Sequence, residues 1–252
     1  MSAAVGPVHV PAVLLLGGTG RTGGRVLTQL LERGVPVRAV VRSAERLPAG
    51  AAGNPLLAVV EADLMARPID RLAADLDGCS TVISCLGHTI SFRGVFGQPR
   101  NLVEQAVHSI RRAAETRDNA TALRLILMSS VSVNQPDQAD ARRGRGERAA
   151  LAVMRRVLPP ARDNQRAADW LAHEVGPADS GLEWVAVRPD VLREGESLGY
   201  TVHEGLVTSL FAPGHTRRAA VAQFMCDLAT DDALWQRWRG RMPAIVDARD
   251  AI

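Results

Sequence analysis

Lysine is missing from this chain altogether: all 30 of its basic residues are arginine. That absence excludes a Schiff-base lysine and a lysine general base. Cysteine is scarce too. Cys79, Cys85 and Cys226 are too few and too irregularly spaced for a disulfide framework or a thiolate metal site, and the first two fall in or beside an apolar stretch, where a reduced thiol acts as a small hydrophobe. The six histidines lack the spacing that puts two on one helix face beside a carboxylate, so no metal site is expected. Aromatics make up 4% of the chain, with one tyrosine, which leaves little from which to build a stacking surface for nucleic-acid bases. No apolar run approaches ~18 residues, so no membrane span is expected, and the first residues lack the charged start of a secretory signal; a cytoplasmic location follows as the expectation.

What the chain does have is alternation. Ala12–Leu16 is a continuous apolar block that stops in glycines, as a parallel strand buried on both faces reads. Val26, Leu27, Leu30 and Leu31 then recur at helical spacing up to Gly34, and residues 35–41 supply a second strand. Further strands are expected at 56–60, 81–86, 123–128 and 184–187, with helices at 69–76 and 101–117 and a terminal helix, Trp-rich turn and strand beyond 219. This pattern predicts an α/β fold, a doubly wound parallel sheet (Rossmann fold) with a small C-terminal substrate-capping portion. With 252 residues, no repeat and no linker, residues 1–252 read as one domain. Segments 88–100, 131–148 and 189–218 break the rhythm. Each begins at the carboxyl end of a strand, where open α/β sheets bind ligands, so the substrate pocket is expected there.

The glycine loop carries the chemistry. Gly18-Thr19-Gly20-Arg21-Thr22-Gly23 follows a buried strand and opens an amphipathic helix, the setting in which a GxGxxG string reads as a dinucleotide site rather than a bare turn. Gly18 is assigned the tight turn, Gly20 the approach to pyrophosphate, and Gly23 the packing of helix on sheet. About 20 residues on, an acidic side chain would bind the ribose of NAD; Val41-Arg42-Ser43 stands there instead. Arg42 and Arg21 suit a 2′-phosphate through bidentate, charge-assisted hydrogen bonds, which points to NADP(H) as the cofactor. The competing reading is two solvated arginines.

With Leu16-Gly17-Gly18-Thr19-Gly20-Arg21-Thr22-Gly23 and Val41-Arg42-Ser43, the chain resembles the NmrA-like, or atypical, branch of the short-chain dehydrogenase/reductases. Ala62-Asp63-Leu64, Ser84-Cys85-Leu86-Gly87, Met128-Ser129-Ser130, Val187-Arg188-Pro189 and the helix from Arg217 to Leu228 continue the likeness over about residues 11 to 247. The resemblance implies that Gly17 through Gly23, with Arg42 and Ser43, surround the phosphates. It places Asp63 and Leu64 at the adenine, Leu86 and Gly87 near the nicotinamide ribose, and Arg188-Pro189 at the opening of the substrate side. It also exposes a departure: Ala161 and Gln165 stand where the family's catalytic Tyr and Lys belong. Ser130 matches the catalytic Ser, and is either a hydrogen-bond donor to substrate or the end of a strand satisfying its own backbone. His88 is either a proton donor at the nicotinamide or a solvated loop residue. Tyr200 and His203 are further candidates, while Asn164 and Gln165 either place substrate or face solvent.

Two regions invite a different interpretation. The run Arg142-Arg143-Gly144-Arg145-Gly146-Glu147-Arg148 suggests nucleic acid, but with no interleaved aromatics it reads better as a solvated or cofactor-shielding loop. Trp235 and Trp238 share a helical face and read as packing. The expected partner is therefore a small-molecule substrate, with no nucleic acid and no membrane, and with a homodimer as a possible assembly. The leading functional expectation is an NADPH-dependent reductase for a quinone or activated carbonyl of an aromatic or secondary metabolite. A redox-sensing regulator that binds NADP(H) without turnover is the rival, and an isomerase or epimerase ranks below both.

Overall fold

The computed structural model describes residues 11–88, 99–117, 121–136, 140, 143–176 and 181–248. Within them an eight-stranded sheet runs through β1 (Ala12–Leu16), β2 (Val37–Val41), β3 (Leu57–Glu61), β4 (Cys79–Ser84), β5 (Leu123–Met128), β6 (Leu182–Pro189), β8 (Tyr200–His203) and β10 (Ala244–Asp247). Its order is β3-β2-β1-β4-β5-β6-β10-β8, and only β8 pairs antiparallel. The chain moves outward from β1 through β2 to β3, then returns with β4 on the other side of β1. The gap between the carboxyl ends of β1 and β4 is thus the topological switch point, where a doubly wound sheet binds its ligand.

Strand alternation sorts the core into two layers. Val13 and Leu15 face α1 (Arg21–Glu32), α6 (Arg218–Thr230) and α7 (Asp232–Trp238). Leu14 and Leu16 face α2 (Ile69–Asp75), α3 (Leu102–Glu115) and α5 (Pro159–Trp170). On α1 the apolar stripe Val26, Leu27 and Leu30 is fully buried, each side chain contributing about 1.5–3 kcal/mol. The helix closes with Gly34 N–H on the Leu31 carbonyl and Val35 N–H on that of Leu30, a paired C-terminal cap.

The doubly wound expectation holds, with corrections at the substrate side. The Trp-rich turn is the helix α7, whose Trp235 and Trp238 are buried as expected of packing residues. Segment 131–148 runs into α4 (Arg145–Val157). The solvated reading of the basic run holds in part: Arg145 and Arg148 are exposed at the start of α4, but Arg143 is buried against Asp140 (3.5 Å) and Glu147 (3.3 Å), and Arg142 lies outside the described residues. Segment 189–218 holds β7 (Val191–Arg193) and β9 (His215–Arg217), which form their own two-stranded parallel sheet, as well as β8. Such three- and four-residue strands lie below the length at which alternation can be read. Most of segment 88–100 lies outside the described residues.

Candidate functional site

At the end of β1 the backbone turns on Gly17, not Gly18. Gly17 has φ +79°, and a Cβ there would sit 2.8 Å from the Cys85 carbonyl at the end of β4. Gly23 is tighter still, since its Cβ would lie 2.1 Å from the Gly17 carbonyl oxygen. Glycine is therefore required twice, to press the loop on β4 and to press α1 on the loop. Gly20 occupies the N-cap of α1, which has no side-chain cap and no acidic residue in its first turn. The first amides of α1, with the positive end of its dipole, are accordingly available to an anion.

Beside this loop lies a cleft of about 460 Å³ at the switch point. Gly17, Thr19 and Gly20 form one wall, Arg42, Asp63 and Leu64 a second, and Leu86 and Gly87 a third. Of the residues expected to hold cofactor, these eight come together; Gly18, Thr22 and Gly23 are buried behind the loop. Ser43 starts the turn Ala44–Arg46, which the Glu61 carboxylate steadies by accepting from the Ala44 amide (3.3 Å). That turn brings a residue the sequence reading missed, Arg46, to the same cleft. Its spacing of four from Arg42 was the available signal. Arg21 goes elsewhere: it is exposed and pairs with Glu194 (3.5 Å) on the outer side of the loop. Asp63 spends one carboxylate oxygen capping the turn Leu64–Ala66 through the Met65 amide (3.0 Å). Cys85 also lines the cleft, but burial pushes its thiol well above the ordinary range, so it offers no thiolate.

The proposed catalytic residues lie deeper or apart. His88 is not a solvated loop residue. Its Nε2 meets the Asp163 carboxylate at 2.8 Å, with side chains 5% and 0% exposed. Asp163 also accepts the amides of Val103 (2.9 Å) and Glu104 (2.9 Å), capping α3 from α5. It therefore ties the end of the β4 segment to two helices. Nothing in the sequence marked it, because its partners are 59 to 75 residues away. Ser130 is outside the residues lining the cleft; its Oγ accepts from the Ser132 amide (3.2 Å) and hydroxyl (3.1 Å), which leaves its own proton to donate.

The dyad positions are silent in structure as in sequence. Gln165 is half-buried, and its amide clamps the Asn134 backbone, accepting from N–H (2.9 Å) and donating to C=O (3.2 Å). Tyr200 is likewise structural. Its hydroxyl donates to Asp227 (2.5 Å), and burial first, then Asp227, pushes it well above the phenol range. His203 contacts Thr201 (3.3 Å). On the side where substrate is expected, Arg188 is fully buried, holding Asp140 (3.1 Å) and the carbonyls of Val133 (3.0 Å) and Met242 (2.8 Å). Burial lowers its pKa, and Asp140 opposes that shift. Among the described residues no helix is long and apolar enough to cross a membrane, and no cluster of metal-binding side chains occurs.

A family model described as NAD(P)H-binding matches residues 17–232. A chloroplastic protein of Arabidopsis thaliana is 37% identical over 78 residues, 31% of this chain; the match spans only 28% of that relative's length. Among solved structures, an oxidoreductase from Lactococcus lactis superposes with TM-score 0.67 at 19% identity, covering 95% of this chain and 94% of the other. An anaerobillin reductase from Escherichia coli O157:H7 gives TM-score 0.66 at 21% identity over 94% and 97%. A short-chain dehydrogenase/reductase from Veillonella parvula, solved with NADP, gives 0.66 at 14% over 96% and 97%. At these identities the structures share the fold.

Proposed function

The chain belongs to the NAD(P)H-binding family, and from that premise we propose that it is an NADPH-dependent reductase that delivers hydride to a quinone or similarly activated carbonyl without a Tyr/Lys acid. One conjunction carries the reading: a cleft at the switch point edged by Arg42 and Arg46, combined with Ala161 and a backbone-clamped Gln165 where an acid would stand. Fold neighbours that include an anaerobillin reductase and an NADP complex support it.

The residues fit the cofactor. The open N-terminus of α1 and Gly20 would receive the pyrophosphate, Arg42 and Arg46 the 2′-phosphate, and Leu86 and Gly87 the ribose near the nicotinamide. Bound NADPH supplies a hydride, two electrons with one proton. A quinone that accepts it becomes a stabilised, weakly basic oxyanion, so a solvent proton completes the hydroquinone and no strong protein acid is needed. In this reading Ser130, whose contacts with Ser132 leave its own hydroxyl proton to donate, would hydrogen-bond that oxyanion, and Asp163 would fix the ring of His88, the residue after Gly87.

The test is oxidation of NADPH, followed by absorbance, against a panel of quinones and activated carbonyls. With stereospecifically deuterated NADPH, a primary isotope effect on oxidation is expected from one face only, and an activated carbonyl reduced at carbon should carry the deuterium. Arg42→Ala should weaken NADPH about tenfold, ~1.4 kcal/mol, and leave NADH nearly unchanged. Ser130→Ala should cost about 1–3 kcal/mol of transition-state stabilisation. Tight NADPH binding with no oxidation across the panel would sink the reductase reading in favour of a redox sensor.

A further inference from the structure

The glycine loop has a second side. Between α1 and the start of α6 lies a cavity of about 900 Å³ that shares Thr19, Gly20 and Arg46 with the cofactor cleft but faces outward. At its edge three guanidiniums converge on one carboxylate. Glu194 meets Arg25 at 2.9 Å, Arg218 at 3.0 Å and Arg21 at 3.5 Å. Three guanidiniums share this one carboxylate, while Glu32 and Glu196 line other parts of the same cavity. Like charges this close repel, and an anion seated among the three would relieve that repulsion.

The arginines differ in what they leave undone. Arg218 is the most enclosed, its side chain 8% exposed, and its Nη1 is buried without a hydrogen-bond partner, as is Nε of Arg25. Burial, then Arg21, lowers the Arg218 pKa, while Glu194 opposes the shift. Glu194, by contrast, is 53% exposed, on the segment just after β7, and can swing out to water at little cost. A well-enclosed guanidinium lacking a partner, closed over by an exposed carboxylate, is the arrangement of an anion site with a displaceable occupant.

We propose that the Arg21, Arg25 and Arg218 cage binds a phosphate group, with Glu194 as the built-in carboxylate it displaces. The oxygens of a phosphate suit several guanidinium forks at once. The group belongs to a separate phosphate-bearing small molecule, since Arg42 and Arg46 are the residues proposed to take the cofactor's own 2′-phosphate. The cage does not depend on the reductase reading, because its test measures binding rather than turnover.

Inorganic phosphate is the probe, titrated calorimetrically into the full chain at constant ionic strength, with chloride as the control. Saturable binding of phosphate is expected. Glu194→Gln should tighten it about tenfold if Glu194 fills the cage about nine-tenths of the time. Arg25→Gln should weaken it at least about tenfold, as loss of a charge-assisted partner does. Neither saturating NADPH nor saturating NADH should block phosphate; blocking by NADPH alone would put the phosphate at Arg42 and Arg46 and overturn the proposal. Equal blocking by both dinucleotides would put the phosphate on the glycine loop and overturn the proposal, as would no saturable binding or no tightening in Glu194→Gln. Should Arg25→Gln fail to fold, the sign of the Glu194→Gln effect decides alone.

Discussion

The cofactor side and the substrate side of the strand ends are built by different means. Around β1 and β4 the shape is set by backbone against backbone: Gly17 on the Cys85 carbonyl, Gly23 on the Gly17 carbonyl, and an α1 start with no side-chain cap. Beyond β5 and β6 the loops are held by buried charge instead. Arg188 and Arg143 share Asp140, and Glu147 reaches from Arg143 to the Leu210 amide (2.8 Å). A backbone-packed loop tolerates almost no added atom but needs no distant partner. A loop held by ion pairs accepts changes of shape but fails when one charge is left alone.

The largest effect expected is at Gly23. Gly23→Val puts a branched side chain where even a Cβ would be 2.1 Å from the Gly17 carbonyl oxygen, so α1 cannot seat on the loop. NADPH binding should fall more than about a hundredfold, over ~2.7 kcal/mol, and the melting temperature should fall with it. Gly20→Val is the control that sharpens the contrast. Its Cβ would meet only the Gly17 oxygen, at 3.2 Å, so the fold should survive while the approach to pyrophosphate is blocked. Retained binding in a folded Gly20→Val protein would show that the loop is not the phosphate cradle.

This contrast also explains what could be read from the chain alone. Glycine placement, the apolar run Ala12–Leu16 and the stripe Val26, Leu27 and Leu30 are local signals with local causes, and they fixed β1, the loop, α1 and the walls of the cleft in advance. Arg42 was legible for the same reason. Arg46 was not, because only the turn Ala44–Arg46 aims it inward. Arg21 was placed by adjacency and then drawn outward by Glu194, a residue 173 positions away. Asp163, Asp140 and Glu194 have the look of ordinary surface carboxylates in sequence. Their roles come from partners that no periodicity connects.

On the substrate side the corresponding break is at Asp140. Asp140→Ala leaves Arg188, fully buried, and Arg143 without their shared carboxylate. Urea unfolding should show a loss of about 3–5 kcal/mol, while NADH affinity of the folded fraction stays near that of the parent. Combining it with Arg188→Met should cost less than the sum of the two single changes, since both charges then leave together. A loss below about 1 kcal/mol for Asp140→Ala would mean that packing, not charge, holds this side as well.

Alkali provides the smallest and most graded comparison. Beneath the glycine loop, burial lifts Cys226 from 9.0 to about 12, with Arg33 opposing, and lifts Cys85 further in the same direction. In the same core layer, burial and then Asp227 lift Tyr200 above its ordinary 10.0. In each case the folded state keeps a proton that the unfolded chain gives up. The associated stability is complete below the unfolded pKa and is lost as pH rises toward the folded one. Unfolding free energy should therefore decline from about pH 9, by up to ~1.4 kcal/mol per pH unit for each group that titrates only when unfolded. Cys226→Ala should flatten the decline from pH 9 upward, whatever it does to stability at neutral pH. Tyr200→Phe should flatten only the part above pH 10. If both variants kept the parent's slope throughout, the buried thiols and the Tyr200 phenol would not be the source of the alkaline loss.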